Sequence, residues 1–194
     1  MRSIDKPIFF IGMPRSGTTI VQEAFSAHEN LGWLSNYSGR FPGFPALTAV
    51  HRIFGNLRGQ RNQGQRLAWF NRILPRPVET YEVWRRLFGE KFLYSFLVGV
   101  KPSAEEVEAA RRYIAKLLAA QKKARFCAKF TGPPRIEFLS EAFPEAYFID
   151  IIRDPRAVVA SLMVDKDDFW EKKGGREKPF WDGALDQEEL AVFF

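Results

Sequence analysis

The sequence is short of cysteine and histidine, with one and two residues, and it has no apolar run long enough to span a bilayer. The lone thiol of Cys127 cannot form an intrachain disulfide, which favours a reducing, cytoplasmic compartment over a disulfide-stapled secreted fold. The apolar run Pro7–Met13 is short and leads directly into a glycine-framed loop, so we expect neither a signal peptide nor a transmembrane segment.

The composition predicts a globular protein. Of the 194 residues, 46% are apolar and 15% aromatic, which excludes a disordered chain and predicts a single domain, 1–194, with a sizeable core. The net charge of +6 fits an anionic ligand, and it also fits weak contact with nucleic acid or a membrane surface. We expect no nucleic-acid partner, because no basic-aromatic recognition motif is present.

The segment 8–19 predicts an anion site. The apolar strand Ile8–Ile11 runs into a loop framed by Gly12 and Gly17, and a helix with apolar positions follows. Successive N–H groups of such a loop, together with the helix N-terminus, favour a bound phosphate. Further contacts would come from the Arg15 guanidinium and from the hydroxyls of Ser16, Thr18 and Thr19. The alternative is an ordinary strand-to-helix turn capped by a Ser or Thr.

A second basic motif begins at the end of a later predicted strand, 146–154. Pro155 is placed to begin a helix that carries Ser161, and Arg153 stands at the end of the strand. Because ligands of open α/β sheets bind at the carboxyl ends of the strands, Arg153 and Ser161 could hold a second phosphate. The alternative is that Arg153 forms an ion pair with Asp154 or a neighbouring carboxylate.

These motifs resemble those of the sulfotransferases that use 3′-phosphoadenosine 5′-phosphosulfate (PAPS). The run 14–19 (P-R-S-G-T-T) is similar to the family's 5′-phosphosulfate loop, in the Arg form found in tyrosyl-protein sulfotransferases, and 153–161 (R-D-P-R-A-V-V-A-S) is similar to its 3′-phosphate motif. Lys129 ends a strand where similar enzymes carry a catalytic Lys. The resemblance implies PAPS as co-substrate, no metal, and catalytic roles for Arg15 and Lys129. It also implies a donor site of Arg15, Ser16, Gly17, Thr18, Thr19, Arg153 and Ser161.

The chain departs from that pattern in three places. Thr131 stands where human-type enzymes carry a catalytic His, and residues 35–37 stand where tyrosyl sulfotransferases carry a base Glu. The chain stops at Phe194 without the family's basic, glycine-containing adenine segment, so we expect a truncated C-terminal part. The base therefore has four candidates: Glu79, which we place first, Glu82, His28 and His51.

The order of predicted elements indicates a P-loop-containing α/β fold, a doubly wound, mostly parallel sheet flanked by helices. Residues 39–100 form a helical, aromatic insertion that could cover the acceptor, with helices predicted at 46–54, 65–73 and 78–88. A charged stretch near 165–175 predicts a mobile loop, and 187–194 the opening of a helix.

Two other functions stay open. A P-loop kinase or nucleotide triphosphatase could use Asp150 for magnesium, although Thr18 replaces the usual Lys. A non-catalytic nucleotide-binding module would need no base. The acceptor is open among carbohydrate, lipid, peptide and small alcohol.

Overall fold

The computed structural model describes residues 4–54, 73–132 and 135–164. Within them the chain forms one parallel sheet of four strands: β1 Ile8–Gly12, β2 Leu31–Trp33, β3 Arg125–Thr131 and β4 Tyr147–Asp150. The strand order is β2-β3-β1-β4, so β1 lies between β3 and β4. The predicted α/β class with a parallel sheet is confirmed.

Helices connect and cover these strands. They are α1 Thr18–Ser26, α2 Asn36–Arg40, a 3-10 helix Pro45–Val50, α3 His51–Phe54, α4 Tyr81–Phe88, α5 Lys91–Tyr94, α6 Ala104–Gln121, α7 Ile136–Ala142 and α8 Pro155–Val164. The Ser103 hydroxyl caps α6 by accepting from Glu106 N, and the Glu106 carboxylate accepts from Ser103 N, as the sequence pattern predicted. Among the described residues, no helix combines the length and apolar character needed to cross a bilayer.

The sheet has an apolar core on each face. Successive side chains of a strand point to opposite faces. On β1, Phe9 belongs to the larger core, with Trp84 and Phe88 of α4, while Phe10 belongs to the smaller core, with Val21 of α1. The same alternation puts Lys129 of β3 on the face that carries α1, and its amine reaches Thr19. Because alternate residues of β3 face α1, the buried amine of Lys129 reaches the N-terminus of that helix.

The structure corrects two predicted elements. Strand β4 ends at Asp150 instead of 154 and is half-exposed, because it is the sheet's edge strand within the described part of the chain. Proline disfavours a helical conformation at the residue before it, so α8 does not extend back beyond Pro155. Arg153 therefore lies on a short connection between β4 and α8. Helix α4 begins at Tyr81 instead of Val78, which leaves Glu79 in the connection before the helix. The predicted features at 65–72, 165–175 and 187–194 lie outside the described residues.

Candidate functional site

The loop between β1 and α1 adopts the conformation of an anion cradle. Arg15 and Gly17 have positive φ angles, 69° and 102°, and Gly17 is the N-cap of α1. Ser16 N donates to Met13 O at 3.1 Å, and this hydrogen bond closes the turn. The first N–H groups of α1 follow directly, at the N-terminus of the helix. A concave run of backbone N–H groups at a helix N-terminus favours an anion. The predicted strand, turn and helix are therefore present, and binding of an anion there stays a prediction.

Gly12 allows the loop to close tightly over the end of β1. A Cβ at this position would lie 2.8 Å from Ile151 O and 2.9 Å from Ser16 Oγ, so no other residue fits without a shift. Ser16 is buried, and its Oγ has no hydrogen-bond partner in the described part of the chain. A buried hydroxyl without a partner is destabilising by about 1–3 kcal/mol. A bound oxyanion in the loop would satisfy it.

The two basic motifs meet at the mouth of this loop. Arg15 Nε donates to Ser161 Oγ at 2.9 Å, and Arg153 NH1 donates to Arg15 O at 2.8 Å. Three of the residues assigned to the donor from sequence therefore form one cluster. The alternative pairing of Arg153 with Asp154 is not seen, because the Asp154 carboxylate binds Arg156 at 2.7 Å. Arg156 lowers the pKa of Asp154 through these hydrogen bonds.

Lys129 lies beside the cradle with two partners. Its Nζ donates to Thr19 Oγ1 at 2.8 Å and forms an ion pair with Glu79 Oε1 at 2.9 Å. The side chains are 9% and 21% exposed, so the pair is screened little by water. The structure thus joins the loop, the predicted catalytic cation and the first-choice base, which lie far apart in the sequence.

Glu79 is held in place by the end of β3. The Thr131 hydroxyl donates to Glu79 Oε1 at 2.7 Å, and Val78 N donates to Leu34 O at 3.1 Å, which anchors the preceding backbone. Glu79 Oε2 has no hydrogen-bond partner among the described residues. One carboxylate oxygen is therefore engaged, and the other is available to a substrate.

Sequence reasoning missed Tyr81. Its hydroxyl donates to Thr131 O and accepts from Thr131 N at 3.2 Å, so it fixes the residue that orients Glu79. Burial raises the pKa of Tyr81 to about 12, and the nearby Glu79 charge adds to the shift. The phenol therefore stays a donor at any physiological pH. The sequence carries no signal for this role beyond a tyrosine two residues after Glu79.

The other base candidates lie elsewhere. His28 follows the far end of α1, where its Nδ1 accepts from Asn30 N at 3.2 Å. His51 is buried against Trp33, with its Nε2 2.9 Å from Ser35 Oγ. Glu82 is exposed and pairs with Arg85 at 2.9 Å. Within the described ranges, no three His, Cys, Asp or Glu side chains cluster as a metal site would require.

The strand order and the loop after β1 define an α/β protein with a parallel sheet of the P-loop type. Comparison with known proteins names the family. Residues 7–174 match the sequence model of the Sulfotransferase family, and the chain belongs to that family. The resemblance seen in the sequence is confirmed.

Individual relatives agree with this assignment. The chain is 27% identical over 200 aligned residues to omega-hydroxy-beta-dihydromenaquinone-9 sulfotransferase Stf3 of Mycobacterium bovis and of Mycobacterium tuberculosis. The alignment covers 94% of this chain and 50% of each relative, so the chain spans about half the length of these curated relatives. The crystal structure of sulfotransferase STF9 from Mycobacterium avium has the same fold, with a TM-score of 0.54 and 19% identity over 83% of this chain and 46% of that one.

Proposed function

We propose that the protein transfers a sulfuryl group from PAPS to a hydroxyl or amine acceptor, in the cytoplasm and without a metal. The observation that carries the proposal is the position of Lys129, whose amine bridges the anion loop at Thr19 and the carboxylate of Glu79. A cation between a phosphate site and a base is what sulfuryl transfer requires. Positive charge must stabilise the transferring group while a nearby base receives the acceptor's proton.

The residues of the loop fit the phosphosulfate end of the donor. The N–H groups from Gly17 to Thr19 and the unpartnered Ser16 hydroxyl would bind its 5′-phosphate. Arg153 and Ser161 would bind the 3′-phosphate that distinguishes PAPS from ATP. Arg153 and Ser161 both contact Arg15, so the side chains proposed for the two subsites lie together.

The reaction is an in-line displacement at sulfur. The acceptor oxygen or nitrogen forms a bond to sulfur as the bond from sulfur to the phosphate oxygen breaks. Glu79 Oε2 accepts the acceptor's proton, and 3′-phosphoadenosine 5′-phosphate leaves with the electron pair. Arg15 and Lys129 stabilise the charge on the sulfuryl oxygens and on the departing phosphate, as cations do in phosphoryl transfer.

The name of one relative supports a choice of acceptor class to test first. Stf3 is named for a hydroxylated dihydromenaquinone, so we propose a lipid-borne alcohol as the first acceptor to test. Lys129 Nζ lies 2.9 Å from Glu79 Oε1, and the acceptor hydroxyl would donate to the other carboxylate oxygen.

The experiment is a transfer assay on the full 194-residue chain with sulfur-labelled PAPS. We would supply a long-chain primary alcohol in detergent micelles, a soluble sugar, a tyrosine peptide and a small alcohol. Transfer of label to an acceptor, lost in Lys129→Met, supports the proposal. Binding of 3′-phosphoadenosine 5′-phosphate without transfer to any acceptor would favour the binding-module alternative. Magnesium-dependent release of phosphate from ATP would favour the kinase or triphosphatase.

A further inference from the structure

The segment 44–53 presents three apolar side chains outward. The 3-10 helix Pro45–Val50 continues directly into α3, and its inner side is lined at intervals of three residues by Pro45, Thr48 and His51, which are buried. Thr48 Oγ1 donates to Pro45 O at 2.7 Å, and His51 binds Ser35. Three residues make one turn of a 3-10 helix, so these side chains share one face. That inner face is partly polar.

The outer face is apolar. Phe44, Leu47 and Ile53, at intervals of three and six residues, are 66%, 46% and 81% exposed. We call these three residues the apolar ridge. A helix that faces water places its apolar side chains inward and its polar ones outward, and here the pattern is reversed. An exposed apolar ridge of this kind indicates a surface that is covered when the protein is at work.

The sequence on either side of the ridge carries charge of one sign. From Asn30 to Val78 the sequence contains seven arginines and neither Asp nor Glu. Two of these arginines, Arg40 and Arg52, are exposed in the same segment as the ridge, and Arg52 directly precedes Ile53. In residues 4–54, 73–132 and 135–164, no carboxylate forms an ion pair with either one. The expected partner is therefore a surface that is both negative and apolar.

We infer that the apolar ridge, together with Arg40 and Arg52, docks this protein on an anionic lipid bilayer. Apolar side chains can enter the boundary between headgroups and acyl chains while neighbouring arginines bind lipid phosphates. Nucleic acid would use the arginines, but it offers no apolar environment to Leu47 and Ile53. The inference does not rest on the proposed sulfuryl transfer, because lipid binding can be measured without either substrate.

The end of β2, which precedes the docking surface in the chain, contacts the segment just before Glu79. The insertion returns to the end of β2, where Asn36 N donates to Arg76 O at 3.2 Å and Val78 N donates to Leu34 O at 3.1 Å. Glu79 is the next residue. The chain that leads into the apolar ridge is thus hydrogen-bonded to the chain that leads into the proposed base.

The test is co-sedimentation of the full chain with vesicles of phosphatidylcholine alone and of phosphatidylcholine with phosphatidylglycerol in equal parts. We expect binding to the mixed vesicles that weakens as salt is added. The variants F44S/L47S/I53S and R40Q/R52Q should each bind at least about tenfold more weakly. The matched controls are I20S/I136S/I152S, which removes equally exposed apolar groups, and R112Q/K116Q, which removes two exposed charges from α6. Circular dichroism confirms that every variant is folded.

Several outcomes would overturn the inference. A folded wild-type chain that stays in the supernatant with mixed vesicles would do so, as would equal binding to vesicles of phosphatidylcholine alone. If F44S/L47S/I53S bound like the wild type, or if the control variants weakened binding as much, the ridge would have no part in it. Preferential binding of a short single-stranded RNA over the mixed vesicles would assign the arginines to nucleic acid instead.

Discussion

Arg15 donates a hydrogen bond from its Nε to Ser161 Oγ at 2.9 Å across 146 residues of sequence. This contact joins the loop assigned to the 5′-phosphate with the helix assigned to the 3′-phosphate. Arg153 also donates to the Arg15 carbonyl, so two hydrogen bonds connect the two motifs. The proposed donor site thus takes residues from both ends of the described chain, and the following predictions test its parts.

Replacing Glu79 with Gln should lower kcat by about 10²–10⁴-fold, because the base that receives the acceptor's proton is lost. Binding of 3′-phosphoadenosine 5′-phosphate should change little, since Glu79 does not contact the anion loop. Steady-state kinetics with a fixed acceptor and a nucleotide titration measure the two effects. Glu82→Gln is the matched control, because Glu82 is exposed and pairs only with Arg85 at the surface. Equal losses in both variants would remove Glu79 from the mechanism.

Replacing Lys129 with Met should lower kcat by about 10²–10³-fold, because charge stabilisation at the transferring group is lost. The long, uncharged Met side chain keeps much of the packing on β3. We expect the free energy of unfolding to fall as well, since Glu79 would keep a partly buried charge without its ion-pair partner. The double variant Lys129→Met with Glu79→Gln should therefore unfold at higher denaturant than Lys129→Met alone. A lower midpoint for the double variant would contradict this account of the pair.

Replacing Gly12 with Ala should destabilise the loop by about 1–3 kcal/mol, because the new methyl group would meet Ile151 O and Ser16 Oγ. Nucleotide binding should weaken in parallel, since Ser16 would be displaced. Gly89→Ala is the control: Gly89 also has a positive φ, 80°, but a Cβ there meets nothing within 4 Å. Thermal unfolding and nucleotide titration of both variants separate steric contact from backbone strain. If the two variants lost the same stability and Gly12→Ala still bound nucleotide, the close approach at Gly12 would be unimportant.

Tyr81 should contribute stability that disappears at high pH. Its pKa is raised from 10.0 to about 12 in the folded protein, so the folded state holds the phenolic proton more tightly than the unfolded state. The contribution is complete below about pH 10 and is lost between about pH 10 and 12 as the phenol ionises. Tyr81→Phe should unfold at lower denaturant at neutral pH, and the gap to wild type should narrow across that range. Tyr94→Phe, at an exposed tyrosine, should leave the whole curve unchanged.

The local parts of the fold and site could be predicted from the sequence. Apolar strand β1, the glycine-framed loop and the capping box at Ser103 depend on neighbouring residues, so their sequence patterns were sufficient. The ion pair of Lys129 with Glu79 depends on the path of the insertion back to the end of β2, which no local pattern records. Glu79 was expected on a helix and lies before it. The role of Tyr81 was missed because its contact with Thr131 also depends on where the insertion returns to the sheet. The exposure of β4 reflects its place at the sheet edge, which an apolar sequence does not reveal. That residues 1–194 form one domain stays a prediction.

The most direct test of the central claim is a calorimetric titration of the full chain with 3′-phosphoadenosine 5′-phosphate and with ADP, each with and without magnesium. The account predicts tighter binding of the 3′-phosphorylated nucleotide, independent of magnesium, and about tenfold to a hundredfold weaker in Arg153→Ala, because a charge-assisted contact to phosphate is lost. Arg156→Ala should bind like the wild type, since Arg156 pairs with Asp154. Tighter binding of ADP with magnesium, or equal binding by Arg153→Ala and wild type, would contradict the account.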